Sequence, residues 1–336
     1  MYTIETAKLN YESQLIKFED TKRSVEKSVR TSFYKILKDQ EDIKLKQNAL
    51  DAAKRQYDTM SAKYNRGALS ELDLLNSQLS YQSKELDLIT SNNALLSDMT
   101  SFKQLLGLEQ EVEVVLEGSL DGILSAGEIT LAGIDAVPST ITSLEKQLEI
   151  AELSLKSTEV SAKAPSLSVS LSDSLTPYSL RHNDLTNKNL KWTNSYLTNN
   201  LSASVSARIP LDAYVKGSSA SVNIENQKNT IEGIKIQIES AKEALEISKK
   251  TALVSIAQIQ KQIEQLNKQI ELAQKTYELT LQAYNHGLKD FNTLQTSADN
   301  IVTLKGNLMT YAVNLENAII ELENTLGVPF GTLGVK

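Results

Sequence analysis

The sequence predicts a mainly α protein with a β-hairpin, in which long helices pair as antiparallel coiled coils. Three observations lead there. The chain repeats itself: Tyr57, Tyr64, Asn65, Gly67 and Leu106-Gly107 recur as Tyr277, Tyr284, Asn285, Gly287 and Leu326-Gly327, at a constant offset of 220 (277 − 57, 327 − 107). Ile4-Glu5 and Thr31 likewise match Ile224-Glu225 and Thr251. Apolar residues in the second copy keep a near-heptad spacing through Ile256, Ile259, Ile263, Leu266, Ile270, Ala273, Tyr277, Leu281 and Tyr284. Between the copies the period drops to two, with serines alternating against leucine and valine.

The elements follow in order. Residues 2–64 contain no glycine or proline and read as one helix; Gly67 interrupts it, and a return helix runs from about Leu69 to Leu106, closed by Gly107. Ile43, Leu50, Ala53, Tyr57, Met60 and Tyr64 are its expected inward positions. Residues 1–107 thus form a first repeat, and 108–140 connect it to the second. In that connection Val112, Val114 and Leu116 alternate with glutamates, which predicts a short strand before a glycine-rich stretch ending at Pro138. The second repeat, 141–327, starts with a helix that stops before Pro165. A strand pair over 166–211 comes next. Leu167, Val169 and Leu171 oppose Ser166, Ser168, Ser170 and Ser172, and Leu201, Ala203 and Val205 oppose Ser202, Ser204 and Ser206. A long helix, 218–285, and a return helix, 290–326, complete the repeat, and 328–336 form a tail. The 218–285 helix would be roughly 100 Å long, too long for a globule.

Charged residues make up 23 % of the chain and aromatics 5 %, and the 13 glycines and 5 prolines are few, as suits long helices. The net charge of −7, with basic residues dispersed, gives no nucleic-acid footprint. There is no cysteine and only two histidines, His182 and His286, so metal-ligand spacing, nucleophilic triads and cofactor motifs are all lacking and no enzyme is indicated. No apolar run is long enough for a membrane helix. The strands have the length and alternation of a membrane-barrel hairpin, and Tyr178, Trp192 and Tyr196 stand where an interfacial aromatic girdle belongs. The same alternation also describes a half-buried strand of an ordinary antiparallel sheet.

This order of parts resembles the TolC-type outer-membrane efflux protein family. The resemblance rests on Tyr64-Asn65-Arg66-Gly67 followed by Leu72-Asp73-Leu74-Leu75, and on Tyr284-Asn285-His286-Gly287 followed by Phe291 and Leu294. Pro165 and Ile209-Pro210-Leu211, which frame the strands, add to it. It implies a homotrimer whose helices form an α-barrel and whose strands contribute to one transmembrane β-barrel. The implied role is an exit duct of a tripartite efflux or type I secretion system. Such a duct lies in the outer-membrane lipid, extends into the periplasm, and works with a periplasmic adaptor and an inner-membrane transporter. It implies a periplasmic gate at Asp73, Tyr284 and Lys289. Entrance positions, allowing a one-residue shortening, fall at Asn292 and Gln295, uncharged where some relatives carry an aspartate ring. Adaptor docking would use the grooves beside Arg66, Gly67, His286 and Gly287. Residue 1 aligns with residue 221, so the first unit is expected to lack about 80 residues and any export signal ahead of Met1. The second class of reading is a soluble periplasmic coiled-coil scaffold or an adaptor, which would carry one hairpin rather than two.

Overall fold

Helix α1 spans Tyr2–Tyr64, α2 Glu71–Leu105, α3 Asp121–Leu124 and α4 Ser139–Lys163. Strands β1 (Ser166–Pro177) and β2 (Leu197–Arg208) follow, then a one-turn 3-10 segment at Asp212–Tyr214, α5 (Ser219–Asn285) and α6 (Phe291–Leu326). The computed structural model describes residues 2–124, 137–177 and 197–333. The chain divides into two compact units: Met1–Glu12 with Leu144–Gln237, and Ser13–Ser143 with Ile238–Lys336.

The repeat seen in the sequence is also a repeat of hydrogen bonds. After α1, Gly67 takes φ 71° and its N–H donates to the Tyr64 carbonyl at 2.8 Å, while Ala68 N–H reaches back to Lys63 O at 3.0 Å. After α5, Gly287 at φ 72° donates to Tyr284 O at 2.9 Å, and Leu288 to Ala283 O at 2.9 Å. This paired closure satisfies the last carbonyls of a helix and demands a left-handed residue, which glycine supplies without a Cβ penalty. The ends of α2 and α6 carry the same pair of bonds, Leu108 to Lys103 and Val328 to Glu323. The offset of 220 holds past the tips. Ser70 caps α2 and Asp290 caps α6, and the hydroxyls of Ser77 and Ser297 each donate to the carbonyl three residues back, both at 2.7 Å.

In the second unit the heptad expectation holds. Ile256, Ile263, Leu266, Ile270 and Ala273 are buried, and Ile259, Tyr277, Leu281 and Tyr284 half-buried. In the first repeat Ala53 and Met60 are buried, but Tyr64, in the last turn of α1, is 39 % exposed. The core of this unit centres on the second half of α6, where Ala312, Leu315, Ile319, Leu322 and Leu326 meet Leu37 of α1 and Ile256 and Ile263 of α5. Residues 112–116 are not a strand. They find no partner strand among the described residues, and without one alternation gains nothing. Instead Leu116, Leu120 and Ile123 drop onto the core, and Gly118 passes so close to Leu37 that a Cβ would sit 2.9 Å from its Cδ1.

The C-terminal segment is bound back onto α1. Arg23 donates to the carbonyls of Glu323, at 2.6 Å, and Val328, and to Asn324 Oδ1 at 3.2 Å. A cation at the end of α6 faces the negative end of the helix. Its guanidinium also stacks 4.6 Å from the Phe330 ring. The Glu323 carboxylate, 1 % exposed, accepts the N–H groups of Gly331 at 2.9 Å and Leu333 at 2.6 Å.

In the first unit Ile224 and Ile231 are buried one heptad apart on α5. Lys146 of α4 bridges Glu12 and Glu149, each at 2.9 Å, and Gln227 donates to Thr158 at 3.0 Å.

Candidate functional site: a two-faced ribbon and paired helix tips

Pro165 ends α4, and its missing N–H suits the point where a chain becomes a strand. β1 and β2 pair antiparallel from Ser166↔Arg208 to Pro177↔Leu197 as a two-stranded sheet, so among the described residues both outer edges are unpaired. Directly opposed residues share a face. One face is a hydroxyl ladder: Ser168–Ser206, Ser170–Ser204 and Ser172–Ser202 hydrogen-bond across the strands, each at 2.7 Å. The other face pairs Leu167 with Ala207, Val169 with Val205, and Leu171 with Ala203. Val169 is 73 % exposed, and Leu167, Leu171, Leu201 and Val205 are comparably open. Asp173, opposite Leu201, and its diagonal neighbour Asn199 interrupt this apolar face. Tyr178, Trp192 and Tyr196 lie outside the described residues.

At the tips, Arg66, His286 and Lys289 are exposed beside the glycine turns, and none has an ion pair among the described residues. Ser70 Oγ accepts the Asp73 N–H at 3.1 Å and donates to Asp73 Oδ2 at 2.6 Å, which pins Asp73 in the first turn of α2. The structure brings Tyr284 into the field of Asp73: burial, and then the Asp73 charge, push the phenol up from its usual value. The Tyr284 hydroxyl donates to Met60 Sδ at 3.5 Å, and the ammonium of Lys63 lies 5.9 Å from its ring centre. Lys63 beside the Tyr284 ring is a neighbour that the sequence did not reveal. Lys289 acts on Asp290, whose carboxyl is held low mainly by its bonds from Thr293 and partly by this lysine.

Asn292 is exposed in the groove between α5 and α6, beside Thr276, Thr280 and Thr296. Gln295 is half-buried and donates to Asp299 Oδ1 at 3.1 Å. Asp299 also accepts Lys84 Nζ at 2.7 Å, an α2-to-α6 ion pair that spacing alone does not reveal. The return helices differ in cover. α6 keeps its large apolar residues buried or half-buried, whereas α2 leaves Leu72, Leu75, Leu79, Leu86, Ile89 and Leu96 exposed along one heptad stripe.

Above the tips, Tyr34 of α1 shares a hydrogen bond with Glu316 of α6. Burial and then the Glu316 charge raise the phenol to about 12, and burial likewise raises Glu316. A group whose folded pKa is raised contributes stability below its unfolded value and loses it as pH climbs through the folded one. Tyr34 should therefore stabilise the fold up to pH 10.0 and stop doing so by about pH 12. Tyr34→Phe is expected to flatten that alkaline step in a urea-unfolding series. At neutral pH it should cost about 1–3 kcal/mol, because Glu316 loses its donor.

No helix among the described residues is long and apolar enough to cross a membrane, and no cluster of metal-ligating side chains occurs among them. A search of curated protein sequences finds no match. Residues 2–108 match the family model "Outer membrane efflux protein". The fold is similar to that of the Campylobacter jejuni CmeC outer membrane channel, with a TM-score of 0.69 and 15 % identity over 97 % of this chain and 67 % of that one. The Neisseria gonorrhoeae MtrE outer membrane channel in its open state gives 0.66 at 14 % identity, covering 97 % and 71 %. The Vibrio cholerae outer membrane protein VceC gives 0.65 at 13 % identity, covering 97 % and 76 %. Residues 2–108, about a third of the chain, are therefore similar to the outer membrane efflux protein family model, and nearly the whole chain has a fold similar to that of these outer-membrane channels.

Proposed function

We propose that this chain is a subunit of an outer-membrane exit duct, which conducts substrate passively from an inner-membrane transporter across the periplasm and outer membrane. The observation that carries the reading is the two-faced ribbon. It exposes one apolar face, bonds three serine pairs of the other across the strands, and leaves both edges without a partner strand among the described residues. An open edge is not tolerated in lipid, so such a ribbon needs sister strands from further copies to close a barrel. The exposed leucine stripe of α2 asks for the same partners, because a heptad seam left in water costs the apolar area it exposes. A homotrimer satisfies both, and a periplasmic adaptor docking at the Gly67 and Gly287 tips, beside Arg66 and His286, would couple it to the pump. The scaffold or adaptor alternative is weaker, because the family match and the fold neighbours are on the channel side.

The gate of this duct would be the tip cluster. Tyr284 at the end of α5 lies in the field of Asp73 at the start of α2, with Lys63 beside its ring. Lys289 is free to meet Asp73 of its own or a neighbouring copy, and Asn292 and Gln295 form an entrance without formal charge. Exposed contacts of this kind contribute only about 0–1 kcal/mol each, a suitable strength for a latch that docking must open. Purified protein in planar bilayers is expected to show discrete channels, and Asp73→Ala to raise their conductance severalfold. Protein that forms no channels contradicts the duct. Channels indifferent to Asp73→Ala contradict the latch alone.

A further inference from the structure

The lowest rung of the ribbon differs from the rest of the serine face. The alternation that places Ser202, Ser204 and Ser206 on that face also places Arg208 there, directly opposite Ser166. Arg208 has no ion pair among the described residues. None of the described acids near it in the fold or the sequence pairs with it. Asp173 is on the opposite, apolar face of the ribbon. Asp212 comes after Pro210, in the turn whose carbonyl accepts Ser218 Oγ. Glu159 of α4 meets Lys163 at 3.9 Å and Lys228 at 3.8 Å. Next to Arg208 on this face come three serine pairs whose hydroxyls bond one another at 2.7 Å, and then Ser174 opposite Asn200, all without charge.

We infer that Arg208 is a selectivity residue: the copies assembled in one barrel set a ring of guanidinium groups at the foot of a neutral serine wall, and this ring favours anionic cargo. The inference rests on the duct reading, in which the serine face is the lumen. A guanidinium is charged at every pH a cell meets and suits carboxylate, phosphate and sulfonate groups. Rings of arginine or lysine are a known device for anion pores. A neutral wall neither competes with the ring nor cancels it, so its reach is set by the salt. That reach is about 30 Å at 0.01 M, about 10 Å at 0.1 M and about 3 Å at 1 M. The preference should therefore be a low-salt property.

The test is the reversal potential of reconstituted channels across potassium chloride gradients, for wild type, Arg208→Lys, Arg208→Gln and Arg208→Glu. The chloride-to-potassium permeability ratio should fall at least about twofold in Arg208→Gln and further in Arg208→Glu. It should be kept in Arg208→Lys and converge for all four proteins near 1 M salt. Any narrower point elsewhere in the duct affects all four equally, so the differences between variants are the readout. Channels of normal conductance whose ratio ignores Arg208→Gln and Arg208→Glu overturn the inference and leave the duct standing. Failure of the wild type itself to form channels overturns both.

Discussion

Replacing Val169 with arginine is expected to remove the protein from the membrane fraction and abolish its assembly. Val169 is 73 % exposed and opposes Val205 on the apolar face of the ribbon. In an isolated chain the change would cost little, because the side chain packs against nothing it would lose. In lipid, an arginine near the midplane of a barrel's outer face costs about 2–4 kcal/mol per strand, and every copy in the barrel incurs it. The control is Ser170→Arg. The neighbouring residue points to the other face, where Ser170 meets Ser204, so the same charge would enter water and the protein should still be recovered in membranes. Fractionation followed by cross-linking in detergent measures both. Equal behaviour of the two variants would mean that the faces of the ribbon are not distinguished by lipid.

Leu322→Ala is the second large effect. Leu322 is 0 % exposed in the core that joins α6 to α1 and α5. Truncating a fully buried leucine removes its transfer energy and leaves a cavity, together about 2–5 kcal/mol. Urea unfolding of the detergent-solubilised protein should show that loss as an earlier midpoint. Leu86→Ala on α2 is the informative contrast. Leu86 is 65 % exposed, so the folded chain should lose no more than about 0.5 kcal/mol. If the α2 stripe meets another copy, the same substitution should loosen the oligomer in dilution. Leu322→Ala thus probes the fold and Leu86→Ala the assembly.

What the sequence revealed and what it hid divide along the range of the interactions. The four helix ends were legible because each rests on a glycine and two backbone bonds within six residues. The heptad of α5 was legible because burial on a long helix follows its own period, from Ile256 to Ala273. The ribbon's two faces followed from strict alternation, which holds from Ser166 to Ser172 and from Leu201 to Arg208. Residues 112–116 misled because alternation is only half of a strand; the other half is a partner, and here the core took Leu116 instead. Arg23 escaped notice because its partners are 300 residues away or more. A long sequence separation likewise hid Lys63 beside Tyr284. In each case the missing information was which helix lies next to which.

The central claim is that the ribbon has one face in lipid and one in water, and the chain's lack of cysteine allows a background-free test. Single cysteines at positions 167 to 172 would each carry a nitroxide, in protein reconstituted into bilayers. Collision with oxygen, which concentrates in lipid, and with a water-soluble nickel chelate would then be read position by position. The account predicts a period of two. Labels at Leu167, Val169 and Leu171 should report oxygen, and those at Ser168, Ser170 and Ser172 the chelate. Six labels equally accessible to the chelate would contradict it.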